Sequence, residues 1–313
     1  MSEFIYKNPI CPEVVKSIRD PFILLDGDTY YLTGTTPPFW DGNSNGVFLW
    51  KSDDLLHWEE IGFILHRSCA TEKDWFCDYW WAPEIHKKDG KYYLTVNCRN
   101  DRLGLDQNPL FAVSDRIDGD YKILNADEPF FTKEKQEKGI CVGNHGNDAN
   151  LFTDDDGKTY LSTCCFEGIH IVEIDLDNMK LVGEETLMIK PENEGSWDTK
   201  NEGSFVMKRN GKYYCFWSSF TRSYEVGVAY ADNIRGPWIK DPKNPIITPL
   251  ETDGICHSGH NCIFTDKEGR IMTAYHITFD EDEDTQLLAI DPVYFDENGI
   301  VSTPAPTITE QKI

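Results

Sequence analysis

The sequence has no run approaching the roughly 18 consecutive apolar residues that a membrane helix needs. Its opening, Met1 to Ile10, carries no basic segment followed by a long apolar stretch. A soluble, cytoplasmic protein is therefore expected, with no membrane partner. Basic residues are also scarce: 30 Lys and Arg stand against 54 Asp and Glu, a formal net charge of −24 spread along the chain. Such a surface repels nucleic acid, whose affinity rests on cations that neutralise phosphate, so no nucleic-acid partner is expected, whereas a neutral ligand is indifferent to that field. The ten cysteines include no CxxC pair, fall at irregular intervals and place Cys164 beside Cys165, so buried reduced thiols are expected instead of a disulfide framework. No Pro-, Ser- or Gly-rich linker interrupts the chain, and residues 1–313 are read as one domain. The short acidic stretch Asp280 to Asp284 reads as a solvated loop.

What the sequence does contain is repetition. DGDTYYLTG at Asp26 to Gly34, KDGKYYLTV at Lys88 to Val96, DDGKTYLST at Asp155 to Thr163, RNGKYYCFW at Arg209 to Trp217 and KEGRIMTAY at Lys267 to Tyr275 share one form. In each, a polar-Gly turn leads into an aromatic strand. The glycines recur roughly 60 residues apart, the mark of a radial repeat. Before each turn lies a strand-like run such as PFILL from Pro21 or ANLFT from Ala149, and after it a third, such as VFLWKS from Val47 or VGVAYAD from Val226. A shorter fourth run begins near Trp58, Tyr121, Leu187 and Trp238. The pattern predicts an all-β protein, a five-bladed β-propeller with four antiparallel strands per blade. Its Tyr-Tyr pairs are expected to pack between blades.

In a propeller the first strand of each blade is innermost, and its start lines one mouth of the central channel. Those starts read RDPF, APEI, NDAN, NEGS and SGHN, and they set Asp20, Glu84, Asp148, Glu202 and His260 six to nine residues before the hairpin glycines. Singly, each has a purely structural explanation: Asp before Pro caps or turns a chain, Glu before Gly makes a surface turn, and a lone His is usually a satisfied core residue. Jointly, four carboxylates and a histidine at equivalent places of five repeats point to chemistry. Crowded carboxylates push their pKa values apart, which yields one proton donor and one acceptor. Glycoside hydrolysis needs that pair. Phe39, Trp40, Trp75, Trp80 and Trp81 fall outside the core pattern of the first two units and are candidates to stack on sugar.

IRDPFILLDGDTYYL at Ile18 to Leu32, SDDLLHWEEIG at Ser52 to Gly62, WAPEIHKKDGKYYL at Trp81 to Leu94, NDANLFTDDDGKTYL at Asn147 to Leu161, NEGSFVMKRNGKYY at Asn201 to Tyr214 and GHNCIF at Gly259 to Phe264 together resemble glycoside hydrolase family 43. The resemblance implies a five-bladed propeller that hydrolyses with inversion, mostly releasing arabinofuranosyl or xylosyl units from plant-derived oligosaccharides. It implies Asp20 as general base, Glu202 as general acid and Asp148 as the group that tunes and orients the acid. It also implies a channel role for Glu84, which joins Phe39, Trp40, Trp80 and Trp81 among the substrate-binding candidates, and, at His260, a residue facing a metal, often calcium; no cofactor is required for the chemistry. Inversion predicts a spacing of roughly 6.5–9.5 Å between the Asp20 and Glu202 carboxyls. Many xylosidases of the family carry a C-terminal β-sandwich, and none is expected within this chain. The alternatives are an exo-acting galactosidase of the same family and a non-catalytic sugar-binding propeller.

Overall fold

The computed structural model describes residues 3–143, 145–165, 167–252, 254–280 and 285–313; residues 281–284 of the acidic stretch lie outside them. All five repeat glycines, Gly27, Gly90, Gly157, Gly211 and Gly269, have positive φ, which the tight turns require. Each turn joins an innermost strand to a second strand. The innermost strands are Arg19–Asp26, Asp78–Lys88, Asn147–Thr153, Asn201–Arg209 and His257–Thr265. They touch one another in sequence order, and the last returns to the first, closing a ring. Five antiparallel sheets radiate from it as a five-bladed propeller. Blades 1 to 4 have four strands, the outermost being Glu59–His66, Lys122–Ile123, Lys180–Ile189 and Ile239–Lys240. The fifth sheet has three strands, the outer one Leu287–Pro292.

The core is divided into five clusters, one at each interface between blades. Leu32 and Trp50 pack against Met272 and Ile290 between blades 1 and 5. Val47 and Leu49 meet Trp80 and Leu94 between blades 1 and 2. Phe111 meets Leu151 and Val172, Ile171 meets Trp217, and Phe216 meets Tyr275 at the remaining three. Successive strand side chains point to opposite faces, and this explains the Tyr-Tyr pairs. Tyr30 enters the cluster shared with blade 5 while Tyr31 packs on the one shared with blade 2. Tyr92 and Tyr93 divide in the same way, as do Tyr213 and Tyr214. Each pair ties its blade to both neighbours. A side chain as fully buried as Trp217 or Leu94 contributes about 1.5–3 kcal/mol.

The ring closes through the chain ends. The Ile10 amide donates to the Leu288 carbonyl at 2.8 Å, and the Asn8 side chain bonds the Ile290 backbone in both directions, so the N-terminal segment runs along the outer strand of blade 5. Ile5–Tyr6 then pairs with Gln311–Lys312. After blade 5 the chain forms a small hairpin, Tyr294–Phe295 with Val301–Ser302. All ten cysteines are free and most are buried. Among the described residues, no helix is long and apolar enough to cross a membrane.

Candidate active site

Every innermost strand begins with the same irregularity. Pairing with the second strand breaks between Arg19 and Phe22, Trp81 and Glu84, Asn147 and Asn150, Glu202 and Phe205, and Gly259 and Cys262. Inside each break one residue has positive φ: Asp20 at 53°, Ala82 at 43°, Asp148 at 51°, Gly203 at 59° and His260 at 47°. A bulge of this kind re-aims a side chain, and holding a non-glycine residue there costs on the order of 1–3 kcal/mol. Here it turns Asp20, Asp148 and His260 together: His260 Nδ1 lies 3.0 Å from Asp20 Oδ1 and 3.8 Å from Asp148 Oδ2.

The bulges correct one expectation. Asp20, Asp148 and His260 are structural equivalents, but Glu202 and Glu84 are not. Glu202 precedes its bulge residue, in the place that Arg19 holds in blade 1. Glu84 stands two residues past its bulge, in register with Asn150, whose Nδ2 donates to Glu84 Oε2 at 2.9 Å. The hairpins differ in length, so counting back from the glycine does not recover the register.

Glycine at 203 is required twice over. Besides the positive φ, a Cβ there would stand 3.0–3.3 Å from three atoms of the His260 ring. The Gly203 amide also donates to Asp148 Oδ2 at 2.9 Å. Gly203→Ala is expected to lower the melting temperature by several degrees, since left-handed backbone strain alone costs about 1–2 kcal/mol. Activity should fall with it as His260 and Asp148 are displaced. A thermal melt superimposable on that of the unsubstituted protein would contradict this packing.

The three carboxylates have unlike surroundings. Asp20 is buried, which favours its neutral form, yet His260 and Arg19 outweigh burial and hold it well below the usual carboxylate range. Thr35 Oγ1 donates to its other oxygen at 2.7 Å. Asp148 is equally buried. Burial dominates there, the nearby Glu202 and Asp20 add to it against the opposing His260, and the pKa is pushed up to about 7. Asn97 Nδ2 donates to its second oxygen at 2.8 Å. Burial disfavours the charged form of His260, but Asp20 and Asp148 raise it to about 9. Glu202 is only half-buried and opens onto a cavity of about 430 Å³. The Tyr224 hydroxyl donates to Glu202 Oε1.

One guanidinium reaches both flanking acids. Arg19 Nε lies 3.3 Å from Asp20 Oδ1 and Nη2 lies 3.6 Å from Glu202 Oε1. It lies over the rings of Trp40 at 5.1 Å and Tyr224 at 4.9 Å. The two carboxylates therefore stand no more than roughly 9 Å apart, compatible with the roughly 6.5–9.5 Å that admits a water between base and sugar.

The expected aromatics divide. Trp40 is 51% exposed and lies against Trp81, whose Nε1 donates to the Phe39 carbonyl at 2.8 Å. Phe39 itself is buried beneath Trp40, so it supports that surface without presenting a face. Trp80 is not a substrate contact: it is 1% exposed, packs between blades 1 and 2, and donates Nε1 to Phe76, because it points to the face opposite Trp81. Trp75 is likewise core, bonded to the Asn125 carbonyl. Glu84 is buried against His86 and Asn150, two residues past the bulge position that Asp20, Asp148 and His260 hold in their own strands, and offers no free face to a sugar.

Residues around His260 do not fit a directly bound calcium, which takes six to eight oxygen ligands. Among the described residues, no group of three or more His, Cys, Asp or Glu side chains is placed to hold a metal. The His260 Nδ1 is committed to Asp20, and the protonated ring favoured by its neighbours is a donor. Sequence reasoning missed Arg19 and Tyr224, which contact Glu202; for Arg19 a signal existed, its place immediately before Asp20.

A profile of glycosyl hydrolases family 43 matches residues 6–301. A xylosidase/arabinosidase of Humicola insolens is 27% identical over 289 residues, 87% of this chain and 49% of its own length. A β-D-galactofuranosidase of Aspergillus niger is 33% identical over 266 residues, 80% of this chain and 71% of its own. The structure of a thermostable family-43 glycoside hydrolase superposes with a TM-score of 0.81 at 30% identity, covering 98% of each chain. This chain spans about half the length of the first curated relatives it matches. With the profile running through all five blades, the chain belongs to glycosyl hydrolases family 43.

Proposed function

We propose that this protein is an inverting glycoside hydrolase that removes terminal arabinofuranosyl or xylosyl residues from oligosaccharides. The observation that carries the reading is the unlike setting of two carboxylates joined by one guanidinium: Asp20 is buried and held ionised, whereas Glu202 opens onto a cavity. Asp20 acts as the base that takes a proton from the attacking water. Glu202 delivers a proton to the leaving oxygen on the opposite side. Asp148, fixed by Asn97 and the Gly203 amide, orients the acid through the backbone beside it. Trp40 and Trp81 supply an exposed aromatic surface at the mouth. The choice of pentose draws support from the xylosidase/arabinosidase relative, and the galactofuranosidase relative favours a furanose-accepting alternative.

A panel of aryl glycosides with arabino-, xylo- and galactofuranosyl-oligosaccharides, followed by NMR, tests the proposal. The first-formed sugar is expected to have the anomeric configuration opposite to that of the substrate. Release with the same configuration would replace inversion by retention. Binding without turnover across the panel would favour a sugar-binding propeller.

A further inference from the structure

The bulge at the start of each innermost strand takes one residue out of the strand ladder. A buried amide without an acceptor is costly, so the amide freed in this way needs another partner. Three of them find it at the same place, on the second strand of the preceding blade in the ring. The Ala82 amide donates to Thr35 Oγ1 at 2.7 Å, the His260 amide to Ser218 Oγ at 2.8 Å and the Asp20 amide to His276 Nδ1 at 3.3 Å. Thr35, Ser218 and His276 are register equivalents: they pair with Arg19, Glu202 and Gly259, the residues that precede the bulge positions of their own blades. In blade 2 the equivalent residue, Asn97, pairs with Trp81 and reaches the Asp148 carboxylate instead.

His276 differs from the two hydroxyls. A hydroxyl accepts one bond and gives another, as Thr35 does by donating to Asp20 Oδ2 at 2.7 Å, whereas an imidazole nitrogen that accepts carries no proton. Accepting at Nδ1 therefore fixes the ring as the neutral tautomer with its proton on Nε2. The setting agrees with this. His276 is buried, and burial together with the Arg19 guanidinium outweighs the opposing Asp20 and holds its pKa well below the ordinary histidine value. Tyr224 packs on the ring, with centroids 5.1 Å apart at 37°. Nδ1 stands 3.9 Å from Asp20 Oδ1, beyond hydrogen-bond reach. The ring thus grips the backbone of Asp20 and leaves the carboxylate to Thr35 and His260.

We propose that His276 is a positioning residue for the base: by accepting the Asp20 amide from the neighbouring blade, it holds the left-handed bulge that aims the Asp20 carboxylate at the attacking water. The inference rests on Asp20 as the base. The ring is buried and does not line the cavity beside Glu202, so its loss acts on the chemical step, and equally for every departing group.

Two variants test it. His276→Leu removes the acceptor, whereas His276→Asn retains one, since asparagine Oδ1 and histidine Nδ1 stand the same number of bonds from the backbone. In steady-state kinetics below the melting temperature of each variant, His276→Leu should lose roughly 10–100-fold in kcat on an oligosaccharide and on a dinitrophenyl glycoside of the same sugar alike. KM should change by less than about twofold, because a misplaced base costs rate and not affinity. His276→Asn should recover most of the loss. Unchanged kcat in the leucine variant, or an asparagine variant as slow as the leucine one, overturns the proposal. Nitrogen-15 NMR of the unsubstituted protein needs neither turnover nor a folded variant: Nδ1 should resonate as an unprotonated nitrogen, and a proton found there overturns the proposal. Full activity in Asp20→Asn would sink the base reading instead, and the His276 contact would then stand or fall on the tautomer.

Discussion

Glu202→Ala is expected to lower kcat on an oligosaccharide by roughly 10²–10⁴-fold while sparing most activity on a dinitrophenyl glycoside of the same sugar. The sugar oxygen that leaves an oligosaccharide is strongly basic and cannot depart without a proton, whereas the dinitrophenolate ion departs as it is. The fold should tolerate the change, because Glu202 is half-buried at the rim of a cavity and belongs to none of the clusters between blades. Its side-chain partners among the described residues are Tyr224, which remains packed on Phe220 and His276, and Arg19, which keeps Asp20. The rival donor is Asp148, whose pKa of about 7 suits an acid. Both of its oxygens, however, are occupied by Asn97 and Gly203, and it does not face the cavity. Equal losses on the two substrates would remove Glu202 from the role and point to Asp148. The comparison is made by steady-state kinetics on both substrates, with circular dichroism to confirm the fold.

The fold was legible because its local and global requirements coincide. A tight turn demands glycine, and a blade held between two neighbours demands large side chains on both faces. The run Gly-Lys-Tyr-Tyr at Gly90 to Tyr93 and Gly211 to Tyr214 writes both into four residues. The site was legible in its acids and not in their register. Asp20, Asp148 and His260 could be found as polar residues at strand starts, but their true common feature is a left-handed backbone inside a bulge, which no residue type announces when Asp, Ala, Gly and His all occupy it. The same bulges hide the fate of the tryptophans. Pairing shifts on both sides of Trp81, so the alternation that assigns Trp80 to the core cannot be counted back from the Gly90 hairpin. Arg19 and Tyr224 come from different blades and meet only when the ring closes, a relation carried by topology and invisible in any local window.

Asp20→Asn should reduce turnover by roughly 10²–10⁴-fold on the oligosaccharide and on the dinitrophenyl glycoside alike, because water must be deprotonated whatever group departs. Asparagine is the informative replacement. At φ 53° it tolerates the left-handed conformation about as well as aspartate, while alanine would add backbone strain to the chemical loss. It also retains an oxygen for the Thr35 hydroxyl. What it removes is the charge that His260 and Arg19 stabilise, and with it the ability to accept a proton. In the unsubstituted protein that ability is lost only as pH falls through a pKa held below the ordinary carboxylate range, so mild acid should not switch off the base. The two substitutions thus give opposite signatures: loss at Glu202 depends on the basicity of the departing group and loss at Asp20 does not. Were Asp20→Asn to retain activity on the dinitrophenyl glycoside, the base would have to be sought elsewhere in the pit, with Asp148 the carboxylate next to it.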